Sequence, residues 1–181
     1  MKLSVLKTLA IGGLGALALA VTYGAHAQAP AASAPPRPAP PPPARGPSLD
    51  LALEAAQTAL STCKANGYNV TVLVVDSAGV PKAELVGDGA FGMTPAIALR
   101  KAVTATTFKE RSGAVGERAK TDKALADRIA ADPTLITWAG ALPLKVGDEV
   151  IGAIAVSGAP GGDKDEACAT AGIAKIQDRL R

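Results

Sequence analysis

The chain has 181 residues, of which 19 are basic, 16 are acidic and 48% are hydrophobic, and its net charge is +3. Two of the basic residues lie in an N-terminal segment that is predicted to be removed, which leaves a charge of about +1. A charge so close to zero gives no indication of nucleic-acid binding, and the remaining length suits one domain.

The N-terminal segment, residues 1–27, has the order of a secretory signal peptide. Two lysines precede an apolar run from Thr8 to Val21, and the small-residue triplet Ala25–Ala27 follows. The run is shorter than the roughly 20 residues that a membrane span needs. We therefore expect cleavage after the triplet and a periplasmic or secreted protein without a membrane anchor; an uncleaved anchor is the alternative. Cleavage would remove His26, the only histidine.

The next segment, residues 28–47, consists mostly of proline and alanine and offers almost nothing that a core could bury. This composition predicts a disordered, semi-rigid linker. A ligand for a proline-recognising module is the alternative, because the segment contains PxxP motifs. The folding domain is then residues 48–181.

The domain begins with a predicted helix, which Ser48 caps and Asn66-Gly67 closes, with apolar residues spaced three and four apart. The β-branched run from Asn69 to Val75 predicts a strand. A turn at Asp76–Gly79 joins it to a second strand at about 80–86. These two strands form a hairpin.

A glycine-rich loop, residues 87–93, precedes a second helix that begins at Thr94-Pro95 and ends near Phe108. A third helix is predicted at about 122–131, followed by a second hairpin within 142–156. The last helix covers about 163–180. This order predicts an α/β (α+β) domain, in which helices pack on the faces of a central antiparallel sheet.

Five short motifs make this domain similar to a known family. They are VVDSAGV at 74–80, RKAVTA at 100–105, GALP at 140–143, GAIAVSG at 152–158 and DEACATAG at 165–172. With them, the domain resembles the GlcG/HbpS-type haem-binding family over nearly all of Leu49–Leu180. The resemblance implies a profilin-like fold, homo-oligomers and haem as the cofactor; some members are described as haem-degrading. Two positions depart from the family pattern: Ala141 replaces the second glycine of GGxP, and Met93 stands near a position where members often carry histidine.

Haem iron needs an axial donor, for which proteins use His, Cys, Met or Tyr. After the predicted cleavage no histidine remains, Met93 is the only methionine and Tyr68 is the only tyrosine. We expect Met93 to bind the iron and Phe91, in the same loop, to lie against the porphyrin. The alternative is that Met93 fills a gap in the core.

The haem propionates need cations or backbone N–H groups. Arg100 and Lys101 are the expected partners, because they lie in a family-like motif close to the glycine-rich loop; a solvated helix face explains most of the basic residues nearby. The segment Ser157–Gly162 precedes the last helix and can direct N–H groups at an anion, or it can be a flexible connector.

The two cysteines, Cys63 and Cys168, form an even pair in a chain that is predicted to leave the cytoplasm. One lies near the end of the first helix and the other near the start of the last, so they come level if these helices pack antiparallel. We predict a Cys63–Cys168 disulfide. Such a bond leaves neither sulfur free to bind iron.

Catalytic motifs are sparse. After the predicted cleavage no histidine remains to form a Ser-His-Asp or Cys-His arrangement, and zinc-ligand spacing is absent. Trp138 is expected in the core. The sequence therefore favours an exported haem-binding protein, for scavenging or sensing; a haem-degrading enzyme follows only from the family resemblance, and no catalytic residues for it are found here. The alternative is a module of the same fold that binds a small carboxylate, or only itself and a partner, without haem.

Overall fold

A computed structural model describes residues 43–181; the predicted signal peptide and most of the predicted linker lie outside these residues. Among the described residues, no helix has the length and apolar character that a membrane crossing requires. The elements, in chain order, are α1 (Leu49–Ala65), β1 (Thr71–Asp76), β2 (Pro81–Val86), α2 (Thr94–Phe108), α3 (Ser112–Ala119), α4 (Lys123–Ala131), β3 (Ala141–Val146), β4 (Glu149–Ser157), α5 (Gly162–Ile176) and a 3₁₀ turn (Gln177–Arg179).

The four strands form one antiparallel sheet in the order β2-β1-β4-β3. In its centre, Thr71 of β1 pairs with Ser157 of β4, and Asp76 pairs with Gly152. Both central strands are buried along almost their whole length, as the run of β-branched residues indicates. The helix-covered antiparallel sheet confirms the predicted α/β (α+β) fold.

Helices cover both faces of the sheet. Because side chains alternate along a strand, Val72 and Val74 of β1 pack in the cluster formed with α1 and α5. Leu73 and Val75 point to the opposite face, where they meet α2. Helix α2 contributes mainly alanines to that contact, which lets it lie close to the sheet.

Helices α1 and α5 pack antiparallel on their face of the sheet. A disulfide joins Cys63 to Cys168, with their Cα atoms 5.6 Å apart. Further along the contact, a Cβ at Gly172 would lie 2.6 Å from the carbonyl oxygen of Ala55, so the helices approach closely. The predicted disulfide is confirmed, and neither cysteine is free.

The described chain enters at the end of the sheet where β1 finishes. The carbonyl oxygen of Arg45 accepts a hydrogen bond of 2.8 Å from the Ser77 N–H, in the β1–β2 turn. Gly46 lies against Asp76, where a Cβ would come within 2.8 Å of the aspartate Cβ. The opposite end of the sheet, about 17 Å away along β1, holds the candidate site.

Helix α3 is not predicted from the sequence, because Ser112–Ala119 contains two glycines and buries only Val115 among its larger side chains. The cap of α2 is also predicted one residue late, since Met93 holds the N-cap position and Thr94 is the first helical residue. The last helix ends at Ile176, earlier than predicted. None of these differences changes the predicted layers.

Candidate functional site

An open cavity of ≈ 1100 Å³ lies at the end of the sheet where β1 begins and β4 ends. Its walls come from the α1–β1 connection, the glycine-rich loop with the first turn of α2, the segment before β3, and the β4–α5 loop. Small-molecule sites usually measure about 300–1000 Å³, so this cavity is large enough for a cofactor-sized ligand.

Large apolar side chains on the cavity wall are exposed to solvent: Phe91 by 75%, Met93 by 69% and Trp138 by 60%. Four aromatic residues lie in the described part of the chain, and all except Phe108 line this cavity, Tyr68 being the third. Side chains of this kind are usually buried, and a contiguous group of them indicates a surface that binds a ligand or partner.

Hydrogen bonds to the backbone hold the loop that carries Phe91 and Met93. The Thr94 hydroxyl donates to the Phe91 carbonyl oxygen at 2.7 Å, and it lies 2.7 Å from the buried Thr71 hydroxyl. Gly89 in this loop has φ +80°, which favours glycine. The loop therefore presents Met93 to solvent, and Met93 does not fill a gap in the core.

Trp138 is held by its backbone. The buried Ser112 hydroxyl donates to the Trp138 carbonyl oxygen at 2.7 Å and accepts from the Ala141 N–H at 3.1 Å. The predicted core position of Trp138 is therefore wrong, because the backbone contacts fix the segment while the indole ring stays outside the core and lines the cavity.

A buried ion pair lies at the base of the cavity. Lys101 Nζ is 2.8 Å from Asp165 Oδ2 and donates to the Val156 carbonyl oxygen at 3.0 Å; the two side chains are 3% and 5% exposed. The other Asp165 oxygen accepts from the Ala159 N–H at 3.0 Å. Burial raises the pKa of Asp165 above its usual value, against the opposing effect of the Lys101 charge. The pair joins α2, β4 and α5 around the cavity.

Gly140, the first residue of the GALP motif, makes room for this ion pair. Its φ is +133°, and a Cβ there would lie 2.6 Å from both Lys101 Nζ and the Val156 carbonyl oxygen. Only glycine fits this combination of backbone conformation and close contact.

Arg100 points away from the cavity, unlike its neighbour Lys101. Its Nη2 atom donates to the Leu135 carbonyl oxygen at 2.8 Å, and it is not among the lining residues. Adjacent residues on a helix face different directions, so the two could not both serve one site. The structure therefore brings Phe91, Met93 and Lys101 together, with the Lys101 charge already paired.

Asp165 is not among the site residues predicted from the sequence, and Tyr68 is named there only as a possible donor. Both line the cavity, together with the β4–α5 loop that the sequence offers as an anion site. Asp165 does lie in one of the family-like motifs. It is the first acidic residue of α5 whose side chain is buried.

The antiparallel sheet with helices on both faces makes this a small α+β domain, with an open cavity at one end of the sheet. A family model described as haem-degrading protein, HbpS-like, matches residues 48–174. The chain belongs to this HbpS-like family, and the resemblance seen in the sequence is confirmed.

Solved structures share the fold. HbpS is 32% identical, with a TM-score of 0.67 over 73% of this chain and 91% of its own. ORFY of Klebsiella pneumoniae is 23% identical, with a TM-score of 0.69 over 77% of this chain and 95% of its own. PduOC, in a complex with haem, is 21% identical, with a TM-score of 0.67 over 72% and 95%. No curated protein matches the chain.

Proposed function

We propose that this protein binds haem in the cavity, with the porphyrin against the wall that Phe91, Met93 and Trp138 form. The observation that carries this proposal is the exposure of these side chains around a cavity of cofactor size. A porphyrin is flat and largely apolar, and aromatic side chains favour stacking against such rings. The haem complex of PduOC, a protein of the same fold, supports the choice of ligand.

The residues at the cavity fit haem in part. Bound haem supplies an iron centre that takes axial ligands. Met93, the predicted metal ligand, offers a thioether from an accessible loop, and Tyr68 offers a phenol. Neither cysteine is available, because the two form a disulfide.

The propionates must find other partners than the two basic residues named from the sequence. Arg100 binds the Leu135 carbonyl oxygen, and the Lys101 charge is balanced by Asp165. Solvent and the N–H groups of the loop glycines, Gly158, Gly161 and Gly162, remain for these carboxylates, since the Ala159 N–H donates to Asp165. The same pairing weakens the alternative of a small-carboxylate site, because such a ligand would meet no unpaired lysine or arginine among the cavity-lining residues.

Titration with hemin tests the proposal. We expect the purified protein to give a saturable shift of the Soret band at micromolar hemin, and Phe91→Ala to weaken the affinity about tenfold. Val86→Ala is the matched control, since Val86 is 55% exposed and lies outside this cavity. If hemin gives no saturable shift, the haem proposal fails. Homo-oligomerisation through the same apolar wall then becomes the better explanation, and light scattering would measure it.

We also propose that the protein is exported and that haem scavenging or sensing is its role. The disulfide supports export, because such bonds persist mainly outside the cytoplasm. Cell fractionation and N-terminal sequencing test this part: we expect a periplasmic or secreted product that begins at Gln28. A product that retains residues 1–27 would contradict it.

A further inference from the structure

We infer that the cavity recognises the tetrapyrrole ring and not its iron, so that a metal-free porphyrin binds about as tightly as haem. This inference rests on the proposed function, which it sharpens. It follows from the kinds of side chain that the cavity offers and from the way in which its charged groups are already paired.

Strong donors to iron are missing from the described residues. The single histidine of the chain, His26, falls in the predicted signal peptide, and Cys63 and Cys168 are buried in their disulfide. Met93 can offer one neutral thioether, from a side chain that is 69% exposed and has no hydrogen bond to orient its sulfur.

Tyr68 would have to bind iron as a phenolate to be a strong donor. Its ring packs against the core beneath α1, and the charged residues that line the cavity are Lys101, Asp163 and Asp165. Lys101 is paired with Asp165, and Asp163 Oδ2 lies 3.6 Å from Lys164 Nζ, so the charges at the cavity are already balanced. No unpaired lysine or arginine among the lining residues is therefore available to support Tyr68 as an iron ligand.

Contacts with the ring, in contrast, are plentiful. Phe91, Met93 and Trp138 line the cavity and are mostly exposed, and Ile97 extends the wall along the first turn of α2. The free energy gained by covering apolar surface depends on the area removed from water, which is the same for a porphyrin with or without iron. Ring contact should therefore dominate the affinity.

Fluorescence of Trp138 gives a direct measurement, because it is the only tryptophan and lies at the cavity. Titration with hemin and with metal-free protoporphyrin IX should quench it with dissociation constants that agree within about tenfold. Phe91→Ala should weaken both ligands by the same factor, whereas Val86→Ala should change neither.

Met93→Leu separates the two contributions of Met93, because leucine keeps the apolar surface and removes the sulfur. We expect this variant to bind both ligands as the original protein does. The inference is overturned if protoporphyrin IX binds more than about a hundredfold more weakly than hemin, or if Met93→Leu weakens hemin alone by more than about tenfold. Binding of hemin without the metal-free ring would leave the proposed haem function standing, whereas quenching by neither ligand would refute both.

Discussion

The α1–α5 layer and the cavity end use apolar residues in opposite ways. In the layer, small side chains such as Ala55 and Ala59 are completely buried, and a disulfide joins the two helices. At the cavity, two of the largest apolar side chains of the described chain, Phe91 and Trp138, are mostly in water. The first arrangement stabilises the fold, whereas the second contributes free energy only when something covers it. A large apolar side chain that stays exposed therefore indicates a binding site more clearly than a buried side chain does.

Removal of the disulfide should lower the free energy of unfolding more than any other substitution considered below. The bond closes a loop with a sequence separation of 105, and we expect Cys63→Ser with Cys168→Ser to lower the free energy of unfolding by about 4 kcal/mol. Urea unfolding measures the loss. Hemin affinity should stay within about twofold, because the cysteines do not line the cavity. Equal unfolding midpoints would show that the layer does not depend on the cross-link.

Lys101→Met should cost about 3 kcal/mol, since it leaves the Asp165 carboxylate buried without its partner. The double variant Lys101→Met with Asp165→Leu should recover most of this loss, because an apolar pair of similar size can replace a buried ion pair. Thermal unfolding of both variants provides the comparison. A double variant as unstable as the single one would contradict this account of the cavity base.

Gly140→Ala should destabilise the protein by about 2 kcal/mol, because the residue has φ +133° and its Cβ would collide with Lys101 Nζ. Gly92→Ala is the control, as a Cβ at Gly92 meets no atom within 4 Å and its φ is not positive. Urea unfolding should separate the two alanine variants clearly. Similar losses for both would mean that the close approach at the ion pair is not what requires glycine.

The difference in stability between the original protein and Asp165→Asn should depend on pH, and this change should be smaller than the losses above. Burial raises the pKa of Asp165 in the folded protein, so the folded state holds this proton more tightly than the unfolded state does. The contribution of Asp165 to stability therefore grows as pH falls through the raised pKa and is lost as pH rises. The stability of the original protein relative to Asp165→Asn should increase between pH 7 and pH 4, measured by urea unfolding at each pH. A decrease in this relative stability between pH 7 and pH 4 would mean that folding lowers the pKa of Asp165.

Phe91→Ser and Trp138→Ser should change the free energy of unfolding least, by less than about 0.5 kcal/mol each, because both rings are mainly exposed. The same substitutions should weaken hemin binding. A stability loss comparable with that of Lys101→Met would place these rings among the residues that hold the fold together, and the contrast between the two regions would disappear.

Local sequence patterns were sufficient to predict most of the fold. The β-branched run Asn69–Val75 and the capped helix before it predict α1 and β1, and the export segment together with helix order predicts the disulfide. Helix α3 could not be predicted from such patterns, because it is stabilised by hydrogen bonds between the Ser112 hydroxyl and the backbone of the distant residues Trp138 and Ala141.

The candidate site depends more on contacts between distant residues. Lys101 and Asp165 are 64 positions apart, so their pairing cannot be read from either motif. From the sequence alone, Arg100 and Lys101 are equally good candidates for the site. Only the rotation of α2 about its axis, which directs Lys101 towards the cavity and Arg100 towards Leu135, distinguishes them. Met93 and Phe91 could be named in advance because a glycine-rich loop predicts exposure for its side chains.

The first described residues lie away from the cavity. Arg45 binds at the β1–β2 turn, at the far end of β1 from the cavity. The lining of the cavity begins at Gly67, so none of the described residues before α1 forms part of its wall. Substitutions at residues 43–46 should therefore leave hemin binding as it is in the original protein.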